Sequence, residues 1–152
     1  MGISVSTRQL RAVLRHNIVE DPAVYAICEG RVLSSHGVDS ENVTREHPAV
    51  ILDLRGGSDF AQAPVGRREV HVYAYSNRNG DEALDLYEAV KEVLQRSGLT
   101  GRLDENGDPC EDVCAYGYEE EGPLESYNQL VHAWFVRGTW RVWALSSHLE
   151  VP

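Results

Sequence analysis

Lysine is nearly missing from this chain. Of its 14 basic residues only Lys91 is lysine, a bias that reads as the codon usage of a GC-rich genome rather than as chemistry. Positive charge is scarce altogether, because 24 acids oppose those 14 bases and leave a formal net charge of −10. A surface that neutralises phosphates needs clustered cations, so nucleic-acid binding is excluded as the main function, though a surface that lies near DNA and repels it is not. Cysteine is rare too. Cys28, Cys110 and Cys114 are too few and too unevenly spaced for a disulfide framework, and free thiols are expected. No apolar run approaches the roughly 20 residues of a membrane span. The opening Met1-Gly2-Ile3-Ser4-Val5-Ser6 lacks the basic and apolar regions of a secretory signal, so a soluble protein made in the cytoplasm is expected, with no membrane partner.

Signatures of chemistry are missing as well. The histidines His16, His36, His47, His71, His132 and His148 share no ligand spacing, and none stands beside a nucleophile in a Gly-x-Ser-x-Gly setting. His71 and His132 fall on expected strands, where either could join a carboxylate in a hydrolase. A strand histidine that packs or faces solvent is the simpler reading. Asp53 and Asp59 flank Arg55-Gly56-Gly57, which lacks the Lys, the Ser/Thr and the following helix of a phosphate loop. The spacing of Cys110 and Cys114 suits half a zinc site, yet a structural zinc needs four ligands and no second cysteine pair exists. A small ligand- or metal-binding domain remains as an alternative. No catalytic residue, cofactor site or metal ligand is assigned, and no enzyme is expected.

What is present is pattern. Residues 68–75 alternate, with Val70, Val72 and Ala74 on one face and His71, Tyr73 and Tyr75 on the other, which predicts a central strand. Asn79 with Glu82 three residues on has N-cap form, and Ala83, Leu86, Tyr87, Val90, Val93 and Leu94 then recur at helical spacing down to Ser97-Gly98. Earlier, Ser6-Thr7-Arg8-Gln9 has capping-box form. After it Leu10, Val13, Leu14 and Ile18 share one side of a helix, with Arg8, Arg11 and Arg15 on the other. Asp21-Pro22 stops that helix and opens a short second one carrying Val24, Tyr25, Ile27 and Cys28, which Gly30 ends.

Residues 31–47 are polar and read as an extended loop. The apolar run 49–54 predicts a strand that Arg55-Gly56-Gly57-Ser58 ends, joined to the 68–75 strand as an antiparallel hairpin with a long tip. Beyond the helix, 113–118 predicts a short strand between turns at Asn106-Gly107 and Gly122-Pro123. Residues 126–136 and 139–145 predict two aromatic-rich strands joined at a tight Arg137-Gly138 turn. The expectation is one α+β domain spanning 1–152, a mainly antiparallel sheet with two main helices packed on one face, and an acidic loop-rich segment at about 103–123.

That segment opens the strongest compositional anomaly. From 103 to 136 there is no lysine or arginine, against Asp104, Glu105, Asp108, Glu111, Asp112, Glu119, Glu120, Glu121 and Glu125. These acids read either as a solvated loop, as partners for the Arg8, Arg11 and Arg15 stripe of a neighbouring copy, or as the lining of a channel that a polyanion crosses without sticking.

Taken in order, the elements resemble the tail-completion, or tail-terminator, proteins of long-tailed bacteriophages. The resemblance rests on the N-terminal helix with its Asp21-Pro22-Ala23-Val24 break, the Gly30-Arg31-Val32 step, His47-Pro48-Ala49-Val50-Ile51-Leu52 as first strand, Arg68-Glu69-Val70-His71-Val72-Tyr73-Ala74, the 79–94 helix and the 139–145 strand. It implies a structural virion protein that forms a homo-oligomeric ring, usually hexameric, at the head-proximal end of a tail tube. Such a ring meets a tail-tube protein on one side and a neck or connector protein on the other, and viral DNA passes through it without specific binding. It also implies assembly in the host bacterial cytoplasm. The acidic region is longer than the family pattern, which keeps open another neck protein, a head-closure or connector subunit. The subunit-interface or lumen candidates are Arg8, Arg11, Arg15, Glu119, Glu120, Glu121 and Glu125.

Overall fold

Apolar residues at three- and four-residue spacing, followed by alternating ones, build helices laid across a sheet. The structure is a computed structural model that describes residues 7–34, 48–59, 65–96, 99–101, 113–130 and 132–146. The elements run α1 (Thr7–Glu20), α2 (Pro22–Cys28), β1 (Val32–Ser34), β2 (Ala49–Asp59), β3 (Val65–Ser76), α3 (Gly80–Leu94), β4 (Leu99–Gly101), β5 (Val113–Asn128) and β6 (Ala133–Ser146). The six strands form one sheet in the order β1-β2-β3-β6-β5-β4, antiparallel except for the β1–β2 pair. All three described helices lie on one face. Leu10, Val13, Leu14 and Ile18 of α1, Val24 and Cys28 of α2 and the apolar stripe of α3 close over Val50, Leu52, Val70, Val72, Ala74, Val136, Trp140 and Val142. The opposite face carries a smaller cluster of Ile51, Tyr75 and Ala133, with Leu33, Tyr73 and Phe135 packed against it. The architecture is α+β, a mainly antiparallel sheet with helices on one side.

Local chemistry sets the helix ends. Asp21 is extended, and its Oδ1 accepts the N–H groups of Ala23 and Val24 at 3.0 and 3.1 Å, so Pro22 begins α2 where its missing N–H is harmless. The expected stop at Gly30 starts one residue early. Glu29 is already left-handed at φ 53° and donates its N–H to Tyr25, and Gly30 follows at φ 86°. At α3, Asn79 Oδ1 accepts the Glu82 N–H at 2.7 Å. The Glu82 carboxylate does not return to Asn79 but takes the Ser76 hydroxyl at 2.7 Å, and that same hydroxyl accepts the Arg78 N–H. The strand-to-helix turn is thereby tied at both ends. The Gly98 cap lies outside the described residues, and Gln95, in ordinary right-handed geometry, follows the last helical residue.

Four expectations about the strands fail, for related reasons. Val32–Ser34 belongs to no loop; it is an edge strand parallel to β2, with Val32 opposite Val50. Arg55-Gly56-Gly57-Ser58 does not end β2, since the strand continues to Asp59 through a register shift between Leu54 and Gly57. Gly122-Pro123 is not a turn either. β5 runs through it as a 16-residue strand, absorbing the surplus residues in shifts between Glu119 and Glu121 and between Glu121 and Leu124. Pro123 is tolerated there because that half of β5 has no outer strand neighbour among the described residues. The Asn106-Gly107 turn lies outside the described residues.

The fourth failure concerns Arg137-Gly138, which sits mid-strand in β6, opposite Tyr73 and Val72. The hairpin turns instead at 129–132, where Asn128 Oδ1 accepts the Leu130 N–H at 3.0 Å and His132 is left-handed at φ 51°. His132 is therefore a turn residue and not a strand residue. Gly138 is glycine because the Tyr87 ring of α3 occupies the space a side chain would need. A Cβ there would lie 1.6 Å from Tyr87 Oη and 2.5 Å from its Cζ.

Gly138→Ala is expected to destabilise the fold by about 3 kcal/mol, read from denaturant melts. In a Tyr87→Ala background the same change should cost less than about 1 kcal/mol, since the coupled partner is gone. Asp21 supplies a pH-dependent test. Burial alone would raise its carboxyl, but the Arg96 guanidinium and the Val24 and Ala23 N–H groups outweigh it and hold the group below its ordinary 3.8. The folded chain thus binds this proton more weakly than the unfolded one. The carboxylate stabilises above the unfolded value, and the contribution disappears as pH falls through the lowered one. Asp21→Asn keeps the cap but loses the ion pair with Arg96, so its melting temperature should fall at pH 7 and converge on the parent's as pH drops through the lowered Asp21 value.

Candidate interaction surface

The α1 arginines sit differently from one another. Arg15 is exposed, and its Nε donates to the Val32 carbonyl at 3.0 Å, which pins the side chain beside β1 at one edge of the sheet. Arg11, one turn earlier, is half-buried and its Nε is out of solvent with no hydrogen-bond partner. Arg8 lies in the first turn of α1, and its side chain lies outside the described residues.

The four β5 acids separate, because Glu119 sits at the end of the regular ladder and the two register shifts after it re-aim the acids that follow. Glu119 points at the helix layer. It accepts from the Tyr87 hydroxyl, and Lys91 Nζ reaches it at 3.3 Å, while the Trp140 indole N–H donates to Tyr87 Oη at 3.2 Å. Burial, then the Glu119 carboxylate, push the Tyr87 phenol far above its ordinary value, with Trp140 pulling the other way, so it remains a donor. Glu120 accepts Arg141 Nε at 2.7 Å, and Arg141 also meets Glu69 at 3.5 Å. Glu121 and Glu125 are exposed and make no ion pair among the described residues. Of the four acids, these two remain available to a partner.

A surface that the sequence reading missed lies beside Glu125. An open hollow of about 390 Å³ is lined by Gly80 and Asp81 at the start of α3, Glu125 and Ser126 of β5, and Trp134, Phe135 and Val136 of β6. Trp134 is 44% exposed and packs edge-on against Tyr127 with ring centres 4.9 Å apart; Leu130, in the neighbouring turn, is 88% exposed. Placing the turn at Arg137-Gly138 ran Ser126, Tyr127 and Trp134 along one continuous strand and hid their meeting across the β5–β6 hairpin. The signal was Asn128, whose side chain suits a turn start.

Among the described residues, groups suited to chemistry do not gather. His71 lies on the uncovered face with Nε2 3.4 Å from Glu69 and its buried Nδ1 unpartnered. Among the described residues no three His, Cys, Asp or Glu side chains are placed to hold a metal. Cys28 is buried, which pushes its thiol up and away from the reactive thiolate. Cys110 lies outside the described residues, as does the Cys114 side chain. No described helix is long and apolar enough to cross a membrane. The arrangement offers separated patches of charge and exposed apolar surface, which suit contact with other macromolecules.

No protein-family model matches this chain, and no characterised protein matches it. Among solved structures it is similar to a chain of the virion of a native gene transfer agent particle, with a TM-score of 0.59 and 10% identity. That likeness covers 91% of this chain and 95% of the other. At such identity it is a likeness of fold, and it runs nearly end to end in both.

Proposed function

We propose that this protein is a structural component of a phage-like virion, and within it a tail terminator. It forms a ring at the head-proximal end of a tail tube, stops tube growth and joins the tube to the head connector. The observation that carries the reading is the near end-to-end fold likeness to a virion chain. The tail-terminator resemblance of the helix, strand and helix order is independent of it. The acidic balance is compatible with a ring around DNA, since net charge of one sign repels a duplex instead of holding it. No chemistry is asked of the chain, only self-assembly and docking to a tube protein on one side and a neck protein on the other.

Two measurements test this. Light scattering behind a sizing column should show a concentration-driven rise from 17.0 kDa toward about six times that mass. Particles produced without the gene should be imaged alongside complete ones. Detached tails of uneven length are expected for a terminator, whereas tails of normal length beside unattached heads would move the protein to a head-closure or connector position. Unchanged particles would overturn the virion reading.

A further inference from the structure

Exposed apolar side chains are concentrated at one corner of the molecule. Of the seven large exposed hydrophobics among the described residues, four, Leu124, Tyr127, Leu130 and Trp134, fall between positions 124 and 134 at the end of the β5–β6 hairpin. Glu125 and Asp81 border the hollow that the Trp134 ring walls, and neither has an ion-pair partner among the described residues. Glu121 flanks the same edge from the other face, opposite Thr139. An indole face with two carboxylates beside it is the environment a guanidinium takes, through cation–π contact and charge-assisted hydrogen bonds.

The chain carries a matching donor elsewhere. α1 holds Arg8, Arg11 and Arg15 against the single acid Glu20, a basic ridge on a strongly acidic protein. Arg15 is exposed and held at the β1 edge, and Arg11 lies half-buried one turn earlier. The acidic, aromatic corner lies on β5, four strand spacings away across the sheet, roughly 19 Å. Within one copy the two cannot meet.

We infer that the Trp134–Glu125–Asp81 corner of one copy receives Arg15 and Arg11 of a second copy. The two patches are different surfaces, Arg15 beside β1 and the corner at the end of the β5–β6 hairpin, so the contact is head-to-tail and each copy can make both halves at once. Such a contact repeats into a closed ring or an open filament. Strand addition along β5 is a poor rival, because Pro123, two register shifts and exposed acids interrupt that edge. The inference names the interface of the assembly proposed above and rests on that reading for closure into a ring.

A charge exchange tests it. Glu121→Lys/Glu125→Lys alters only exposed side chains of the corner, and Arg11→Glu/Arg15→Glu reverses the ridge, with Arg15→Glu alone as a milder companion because Arg11 is half-buried. Each variant alone should need roughly tenfold more protein for half-assembly by light scattering at about 50 mM salt. An equimolar mixture of the two should recover the parental mass, because in an alternating array every junction is again Lys with Glu or Arg with Glu. The inference is overturned if either single-sided variant assembles as the parent does, if the mixture stays dissociated, or if the parent remains monomeric up to about 1 mM. If the parent and both variants all form rings, only this contact falls and the ring reading stands. Normal tail attachment or its loss in particles made without the gene decides the virion reading separately.

Discussion

The contact between the Tyr87 ring and the backbone of Gly138 is the point on which the helix and sheet layers are mounted. α3 reaches the sheet there without a side chain between them, and Trp140, fully buried beside it, donates to the same phenol that donates to Glu119. One ring thus joins α3, β6 and β5. The glycine is indispensable for space, not for backbone freedom, and the polar end of the ring is tolerated inside because both of its neighbours satisfy it. Lys91 adds a second tie to Glu119, so the first β5 bulge is anchored to the helix where the strand changes its facing.

That anchoring decides which charges the molecule shows. The acidic stretch of β5 is uniform in sequence, but strand alternation turns Glu119 inward and gives Glu120 to Arg141, and the bulges that follow leave Glu121 and Glu125 at the edge. Covering one sheet face with helices places Arg15 at the opposite edge, on β1. A monomer with unlike patches at its two edges has the polarity a head-to-tail assembly requires, and the uncovered face, with Tyr73, Tyr75 and Phe135 packed together, lies between them.

Period and capping were readable in the chain itself. Leu10, Val13, Leu14 and Ile18 are buried at helical spacing, Asn79 caps α3 and Pro22 opens α2 as expected, and Val70, Val72 and Ala74 face the core as alternation requires. Those are local matters, determined by a side chain and its neighbours within a turn or two. What the sequence could not determine was the meaning of Gly and Pro on β2, β5 and β6. Gly57, Gly122-Pro123 and Gly138 have the composition of turns, yet they became a bulge, a bulged edge and a close packing site. Only tertiary structure decides between those outcomes, because each depends on whether a distant element, such as α3 or an outer strand, occupies the space beside the glycine or the proline. The same reason kept the Trp134 corner out of sight, since Asp81, Glu125 and Trp134 share no periodicity and meet only where the end of the β5–β6 hairpin folds against the start of α3.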